Sequence, residues 1–494
     1  MAGKREKGTA EATGEDKDNL GVTVTRAQDF SRWYLDVVRK GGFKDQRTPI
    51  KGFDVIMPWG YALWERMVAS YDGLLKEKGF QNAYFPMLIP ESFIEKEKEH
   101  FSGFSAETAN VTEAGGEVLS EKLAIRPTSE TIMYHMFALW IRSHRDLPLR
   151  ISQWCNIVRW DTKVTKPFIR DREFLWNEVH TAHATKEDAL KQIEDYVRIC
   201  DRFHEDLAMA AMVMKRTESD RFPGADFSIA YDTLMQDGKV IQGPGGHFLG
   251  QNFSKPFDIT FMHEDGKKEH VWQTCLGMTT RQIGAIIMQH GDDRGAVLPP
   301  RIAPLQVVVV PIIFKGKEAG VMEAARNATV KLCALGMRAH LDDRDYSAGY
   351  KFNDWELRGV PLRLEIGPRD VAEKKAVAVK RNDGKKMEIK LSELSQVPEI
   401  LENIQKEMLA KSRKVLKENT RDAKTMAELK EACAKGGFVR ANWCGSSECE
   451  DWIKDQTGGA TIRGTLFGKS EKASGPCVRC GKKAKHVVYV AKAY

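Results

Sequence analysis

Residues 155–178 read CNIVRWDTKVTKPFIRDREFLWNE, and this run decides how the chain is organised. Apolar and polar residues alternate at both ends, while the middle is polar and holds a proline. That pattern predicts two strands joined by a loop. Arg159 opens the loop, Asp161 follows two positions on, Arg170 and Arg172 close it, and Phe174 begins the return strand. Guanidinium groups at both ends of a loop suit a bound anion, because each planar fork can hold a phosphate or a carboxylate bidentately. A basic hairpin turned to solvent is an equally good reading of the run by itself.

Working outward, the segments NAYFPMLI, LRISQWCNIVRW, REFLWNEVHTAHA and PFDITFMHE read as strands, with long helices expected over 61–79, 129–145 and 185–211. Strands that follow one another through loops favour an antiparallel sheet, so residues 26–302 are expected to form an α+β domain. A different rhythm starts after LPPRIAP. QVVVVPIIF, a helix, MRAHLDD, a second helix, PLRLEIGP and KAVAVKR alternate as in a mixed sheet flanked by helices. Residues 303–404 are therefore expected to be a separate α/β domain, with 405–494 as a third unit. Residues 1–25 mix acids and bases without an apolar core, and a disordered charged tail is expected there.

Composition excludes several classes. The 494 residues are 42% apolar and 29% charged, as in an ordinary globular protein. The longest apolar stretch is too short to span a bilayer, and the N-terminus resembles neither a secretory signal nor a transit peptide. A cytoplasmic protein without membrane attachment is expected. A net charge of +7 is a weak tilt towards an anionic partner. It is concentrated in residues 405–424, where seven Lys/Arg face three acids on an expected helix. Nine cysteines is an odd count, which argues against a secreted disulfide framework. Four of them, Cys444-x4-Cys449 and Cys477-x2-Cys480, have the spacing of a closed tetrahedral zinc site, with Gly445, Gly475 and Gly481 suited to the turns. Four thiolates leave no open position, so a structural role is expected.

The 155–178 run resembles motif 2 of the class II aminoacyl-tRNA synthetases, and two companions stand in the family's order. The helix from Tyr61 to Lys78 followed by NAYFPML, with Pro86, resembles motif 1, which in that family lies at a homodimer interface. WQTCLGMTTRQIGAIIMQHGDD, with Gly277, Met278 and Arg281, resembles motif 3. Within the class, Arg126-Pro-Thr128-Ser-Glu130 resembles the T-x-E signature of prolyl-tRNA synthetases. FLWNEVHTAH and IQGPGGHFLGQNFS resemble two further segments of that family.

The resemblance implies an antiparallel class II catalytic domain, an α/β anticodon-binding domain and a small zinc-binding α+β domain. It implies activation of L-proline with ATP and Mg²⁺, followed by transfer to tRNA(Pro). Arg159 and Arg281 are then the catalytic residues. Thr128, Glu130, Arg159, Trp176, Glu178, His180 and His247 are the implied proline ligands. Arg159, Asp161, Arg170, Phe174, Gln242, Gln273, Thr279 and Arg281 are the implied ATP ligands, with Asp161 a candidate to hold Mg²⁺. DWELRGVPLRLEIGPRD resembles the anticodon domain and assigns base contacts to Glu356, Arg363 and Asp370. The chain departs from the pattern at Asp161, Asp171, Gly245-Gly246 and Cys275, where relatives usually carry Glu, Thr, Thr-Ser and Ser. Gly245 and Cys275 imply a slightly roomier amino-acid pocket, and no editing domain is inserted between motifs 2 and 3. Two alternatives are a non-catalytic synthetase-like binding protein and an enzyme for another amino acid of the same subclass. The first is disfavoured by the presence of all three arginines with Thr128 and Glu130, the second by the lack of a zinc-ligand cluster in the catalytic region.

Overall fold

The structure is a computed structural model that describes residues 21–100, 107–314, 316 and 318–494. Residues 1–20 of the expected tail lie outside the described residues. Residues 21–25 are packed instead of disordered: Val22 and Val24 lie against the main core, and the Thr23 N–H donates to Asp36 at 2.7 Å.

The strands expected around the motif 2 run form the catalytic half of one long sheet. Its order begins Gln81–Asn82, Leu149–Val158, Glu173–His183, Trp272–Thr279, Val240–Gly250, Phe227–Leu234, Ala211–Lys215. Neighbours are antiparallel except at the edge, where Gln81–Asn82 pairs parallel with Ile151–Ser152. The strand of motif 1 is thus only two residues long. Pro86, with no N–H to give a ladder, stands just beyond it.

The helix Lys186–Asp206 covers one face of this sheet. Thr185 caps it by accepting from Asp188 N–H, and Ala189, Ile193, Tyr196, Cys200 and Phe203 recur at helical spacing to form its buried stripe. The helices Pro58–Lys76 and Arg281–His290 join the same core. The helix expected over 129–145 is shorter, Glu130–Trp140, because Ile141 turns to extended backbone and Ser143 caps a separate turn.

The second unit has the expected mixed sheet, ordered Ala339–Leu341, Val307–Pro311, Leu362–Ile366, Lys375–Lys380, Lys386–Lys390. The first two pairings are parallel and the last two antiparallel. The expected boundary at 404/405 falls inside a single helix, Val397–Glu418. Val397, Leu401, Ile404 and Met408 of that helix all bury into the core of the second unit. The helical stripe of this core continues across the boundary to Met408. Arg381 joins this unit to the first through paired 2.6 Å bonds to Asp292.

The third unit is not a detached appendage. Its strands Thr420–Ala423, Phe438–Trp443, His486–Lys492 and Ala460–Leu466 continue the catalytic sheet, because Thr465 and Leu466 pair with Lys215 and Met214. Among the described residues no helix is long and apolar enough to cross a membrane.

Candidate active site

Register places the site. Across the motif 2 hairpin Trp176 faces Cys155, Glu178 faces Gln153 and His180 faces Ile151. On the other side Thr279, Gly277 and Cys275 face Trp176, Glu178 and His180, and beyond them Gly245 and His247 face Gly277 and Cys275. Paired residues share a face and alternate along each strand. One patch of four adjacent strands therefore presents Trp176, Glu178, His180, Cys275 and His247 together. Gly245 and Gly277 form its floor, and a Cβ on Gly277 would already touch the Trp176 ring at 3.7 Å.

The segment from Arg126 to Tyr134 closes this patch. Arg126 is fully buried and donates to the Phe85 and Asn156 carbonyls at 2.8 Å, which locks the chain leading to Thr128. Thr128 then bonds the Glu130 carboxylate, and Tyr134, one turn further on, bonds His180 Nδ1 at 2.9 Å. Gln153 Nε2 donates to Glu178 at 2.8 Å, and His180 Nε2 lies 3.2 Å from the other Glu178 oxygen.

Two carboxylates thus share a buried site and divide their roles. Burial opposes ionisation of Glu178, but the hydrogen bonds and charge of His180 outweigh it and hold the carboxyl below its usual range. Burial, helped by the Glu178 charge, pushes Glu130 up despite the opposing pull of His180. A pocket with one settled and one reluctant carboxylate suits a small cation that arrives with its own charge. His247 is driven down to about 3, chiefly by burial and then by the neighbouring His180, so it faces the pocket as neutral imidazole. Its Nδ1 is tied to Ser228 at 2.7 Å. Cys275 is buried and its thiol is pushed up by burial.

Beside this pocket opens a cleft of about 470 Å³ whose lining includes Arg159, Asp161, Arg170, Phe174, Thr279 and Arg281. Arg159 Nε donates to the Pro127 carbonyl at 3.1 Å, and its guanidinium lies over the Phe174 and Trp176 rings at 5.6 and 5.7 Å. Arg159 therefore stands where pocket and cleft meet. Arg281 is anchored by the Ile169 and Gln242 carbonyls at 2.9 and 3.3 Å. Burial, then the charges of Arg159 and Arg170, lower its guanidinium to about 10, so it remains a cation at neutral pH. Three arginines converging on one cleft call for an anion with several oxygens. Asp171 does not balance them from within: its carboxylate is bound to buried Lys44 at 2.7 Å and pins the N-terminal segment to the motif 2 loop.

The comparisons with known proteins agree with this geometry. Residues 115–290 match the tRNA synthetase class II core domain (G, H, P, S and T), residues 306–401 an anticodon binding domain, and residues 426–494 the prolyl-tRNA synthetase C-terminal domain. The proline–tRNA ligase of Symbiobacterium thermophilum is 45% identical over 97% of this chain and all of its own length (100%). That of Cenarchaeum symbiosum is 43% identical over 96% of this chain and 100% of its own. The chain belongs to the proline–tRNA ligases.

Solved structures of this family align as well. The Cryptosporidium parvum prolyl-tRNA synthetase complexed with halofuginone and AMPPNP has TM-score 0.92 and 40% identity, covering 96% of this chain and 100% of that one. The same enzyme complexed with L-proline and AMP has TM-score 0.89, 38% identity and the same 96% and 100% coverage.

For a proline–tRNA ligase, most residues singled out in the sequence stand together, and a few do not. Thr128, Glu130, Trp176, Glu178, His180 and His247 converge on the pocket, and Asp161, Arg170, Phe174 and Thr279 on the cleft. Gln242 lies between them, its Nε2 about as close to the floor at Gly245 (3.5 Å from a Cβ placed there) as His247 Nε2 (3.8 Å). Gln273 is not brought to the cleft. It faces Ala182, six positions before Thr279 on the same strand, which at about 3.4 Å per residue is some ~20 Å away. Its side chain is buried there without a hydrogen-bond partner.

In the second unit Glu356 and Arg363 pair with each other at 2.9 Å beside a cavity of about 430 Å³, where Arg294, Lys380 and Arg381 also stand. Asp370 is elsewhere: it caps the short helix Pro368–Ala372 by accepting from Gly367 N–H at 2.8 Å.

The four clustered cysteines do converge. Their ligand atoms all lie within 4.8 Å of one another, with Cys444–Cys449 and Cys444–Cys480 sulfurs 3.6 and 3.7 Å apart. Those separations are too long for a disulfide. They approximate the edge of a tetrahedron built on zinc–sulfur bonds of about 2.3 Å, roughly 3.8 Å.

Sequence reasoning missed four residues around the site. Tyr134 and Gln153 were recoverable from helical and strand periodicity, being one turn from Glu130 and directly across from Glu178. Arg216 and the terminal Tyr494 carried no local signal. Tyr494 lies at the motif 2 loop, its carbonyl oxygen 3.3 Å from Arg170 Nη2 and its ring under Lys166 and Lys239.

Proposed function

We propose that this cleft and pocket carry out proline activation and transfer, with Arg159 as the pivot between the two substrates. The observation that carries the reading is the place of Arg159, between a pocket with paired carboxylates and a cleft with three arginines. Proline brings a secondary ammonium, a carboxylate and an apolar ring. The ammonium is met by Glu130 and Thr128, the ring by Trp176 and the small floor residues, and the carboxylate by Arg159. In the cleft the adenine stacks on Phe174 with Arg281 on its far side, while Arg159 and Arg170 hold phosphate oxygens. Asp161 is the residue that would hold Mg²⁺, which would neutralise phosphate charge.

The chemistry follows from that placement. A proline carboxylate oxygen attacks the α-phosphorus, the bond to the bridging oxygen of pyrophosphate breaks, and prolyl-adenylate forms. The terminal ribose hydroxyl of tRNA(Pro) then attacks the acyl carbon, AMP leaves with the bonding pair, and the hydroxyl proton passes to solvent or to a phosphate oxygen. The attacking carboxylate needs no base, and His247, neutral and tied to Ser228, is suited to shape the pocket. Rate comes from positioning and from charge neutralisation.

Glu130 gives the test for the amino-acid half. A charge-assisted hydrogen bond is worth about 1.5–3 kcal/mol. Glu130→Gln should therefore raise KM for proline by roughly 10–150-fold in pyrophosphate exchange while leaving KM for ATP near its original value. Equal changes in both constants would refute the assignment.

The second unit would bind the anticodon through the Glu356–Arg363 region, where unstacked bases meet both donors and acceptors. The Cys444, Cys449, Cys477 and Cys480 thiolates would hold one structural Zn²⁺. A cytoplasmic location suits such thiolates, which a reducing compartment preserves; recovery of the protein in an organelle on cell fractionation would overturn it. A homodimer is expected through the motif 1 face. Tyr84, Met87, Leu139, Trp140 and Met262 are exposed apolar residues on neighbouring segments there, the kind of patch that marks an interface. Sedimentation equilibrium should give twice the 55.8 kDa chain mass, and Trp140→Glu should halve it. A monomeric wild type would exclude the dimer.

A further inference from the structure

We propose that Arg463, in the C-terminal domain, is a positioning residue for Gln242 in the adenylation site, acting through Asp232 and Arg216. The inference rests on the reading of Gln242 as a substrate-facing residue.

Asp232 stands on the strand Phe227–Leu234, with no exposed surface (0%). Two guanidinium groups grip its carboxylate. Arg216 donates through Nη1 and Nη2 at 2.9 and 2.8 Å, and Arg463 through Nε and Nη2 at 2.8 and 3.2 Å. Burial works against the charged form of Asp232, but the two arginines outweigh it. Arg216 Nε also lies 3.5 Å from the exposed Asp220 carboxylate, so the two arginines are matched by two carboxylates.

Arg216 also ties this cluster to the active site. Arg216 Nη2 donates to Gln242 Oε1 at 3.0 Å. A carboxamide can rotate to exchange its oxygen and nitrogen, but only the oxygen can face a guanidinium N–H. Arg216 therefore fixes which way round the amide sits and leaves the Gln242 NH₂ towards Gly245 and His247, as a donor for a substrate oxygen. The backbone of the same residue is held from the other side, its carbonyl accepting from Arg281. Arg463 does not touch the cleft. It determines whether Arg216 is held straight.

The fold is built to deliver Arg463 to this point. The strand Ala460–Leu466 shifts register between Ile462 and Gly464 where it meets the catalytic sheet. At Gly464 φ is +122°, and a Cβ would lie 2.1 Å from the Lys215 carbonyl oxygen, so only glycine allows the approach. The Arg463 carbonyl also accepts from Arg216 Nη1 at 2.8 Å. A second tie, Thr217 to Glu450 at 2.8 Å, fastens the helix Ser447–Gln456 of the same domain to the segment that carries Arg216. The C-terminal domain thus reaches the adenylation site through three buried side chains and the half-buried Gln242.

The test is a double-mutant cycle on the full chain, read as kcat and KM for ATP and proline in pyrophosphate exchange, with melting temperature and zinc content as folding controls. Arg463→Met should lower kcat/KM by about 10²-fold, the cost of a small misplacement near reacting groups. Arg463→Lys should recover part of it, and covers the case in which Arg463→Met does not fold. In a Gln242→Ala background, the Arg463 substitutions should change kcat/KM by less than about threefold. Equal losses in both backgrounds would overturn the inference while leaving the site reading intact, as would wild-type kinetics in Arg463→Met. Wild-type exchange by Gln242→Ala alone would overturn the site reading at Gln242, and the inference with it.

Discussion

Arg159→Ala should abolish proline-dependent ATP–pyrophosphate exchange, with a loss of at least ~10³-fold in kcat/KM, at the upper end of what removing one preorganised donor costs elsewhere. Both reactants are anions, and a carboxylate does not approach an α-phosphate without a cation between them. Arg159 is the guanidinium placed at the junction, held by the Pro127 carbonyl and flanked by Phe174 and Trp176. Arg170 and Arg281 cannot take over: one leans towards Tyr494 and the other is anchored to the Ile169 and Gln242 carbonyls. Arg159→Lys should restore little, because a point charge does not bridge two oxygens as a planar fork does. Exchange within tenfold of wild type in the alanine variant would remove Arg159 from the mechanism.

The second large effect is expected at the cysteine cluster. Zinc held by such sites contributes on the order of 10–16 kcal/mol to folding in small peptides, and the four converging sulfurs have the spacing to hold one such ion. Purified protein should contain one zinc per chain. Cys449→Ala should bind less than about a tenth of that and lose its first thermal transition by more than ~10 °C. Exchange activity should fall as well, because the C-terminal sheet is continuous with the catalytic sheet and Tyr494 ends at the motif 2 loop. A chain free of metal as purified and unchanged by chelators would contradict the zinc reading.

Much of the site was legible because its residues lie two apart on strands. Trp176, Glu178 and His180 had to share a face once the hairpin was recognised, and the arginines of motifs 2 and 3 announced an anion. What alternation cannot reveal is distance along a strand: Gln273 has the same phase as Thr279 but stands six residues away, outside the cleft. Nor does it reveal local hydrogen bonding, which turned Asp370 into a helix cap and joined Glu356 to Arg363. The helix that runs through the expected boundary at 404 was missed for a related reason. One amphipathic helix serves two units, and a basic stretch of sequence does not mark where its buried stripe stops. The Arg463–Asp232–Arg216–Gln242 chain was invisible because its partners come from separate units, brought together where the strand Ala460–Leu466 pairs with Ala211–Lys215.

The central claim is that this pocket selects proline for adenylation. Pyrophosphate exchange by the wild-type protein, measured across a panel of amino acids at equal concentration, tests it most directly. Proline should support the fastest exchange, with alanine and cysteine as the leading competitors because Gly245 and Cys275 leave the pocket slightly roomy and one methylene is worth only about 1–3 kcal/mol. Threonine or serine supporting faster exchange than proline would contradict the account.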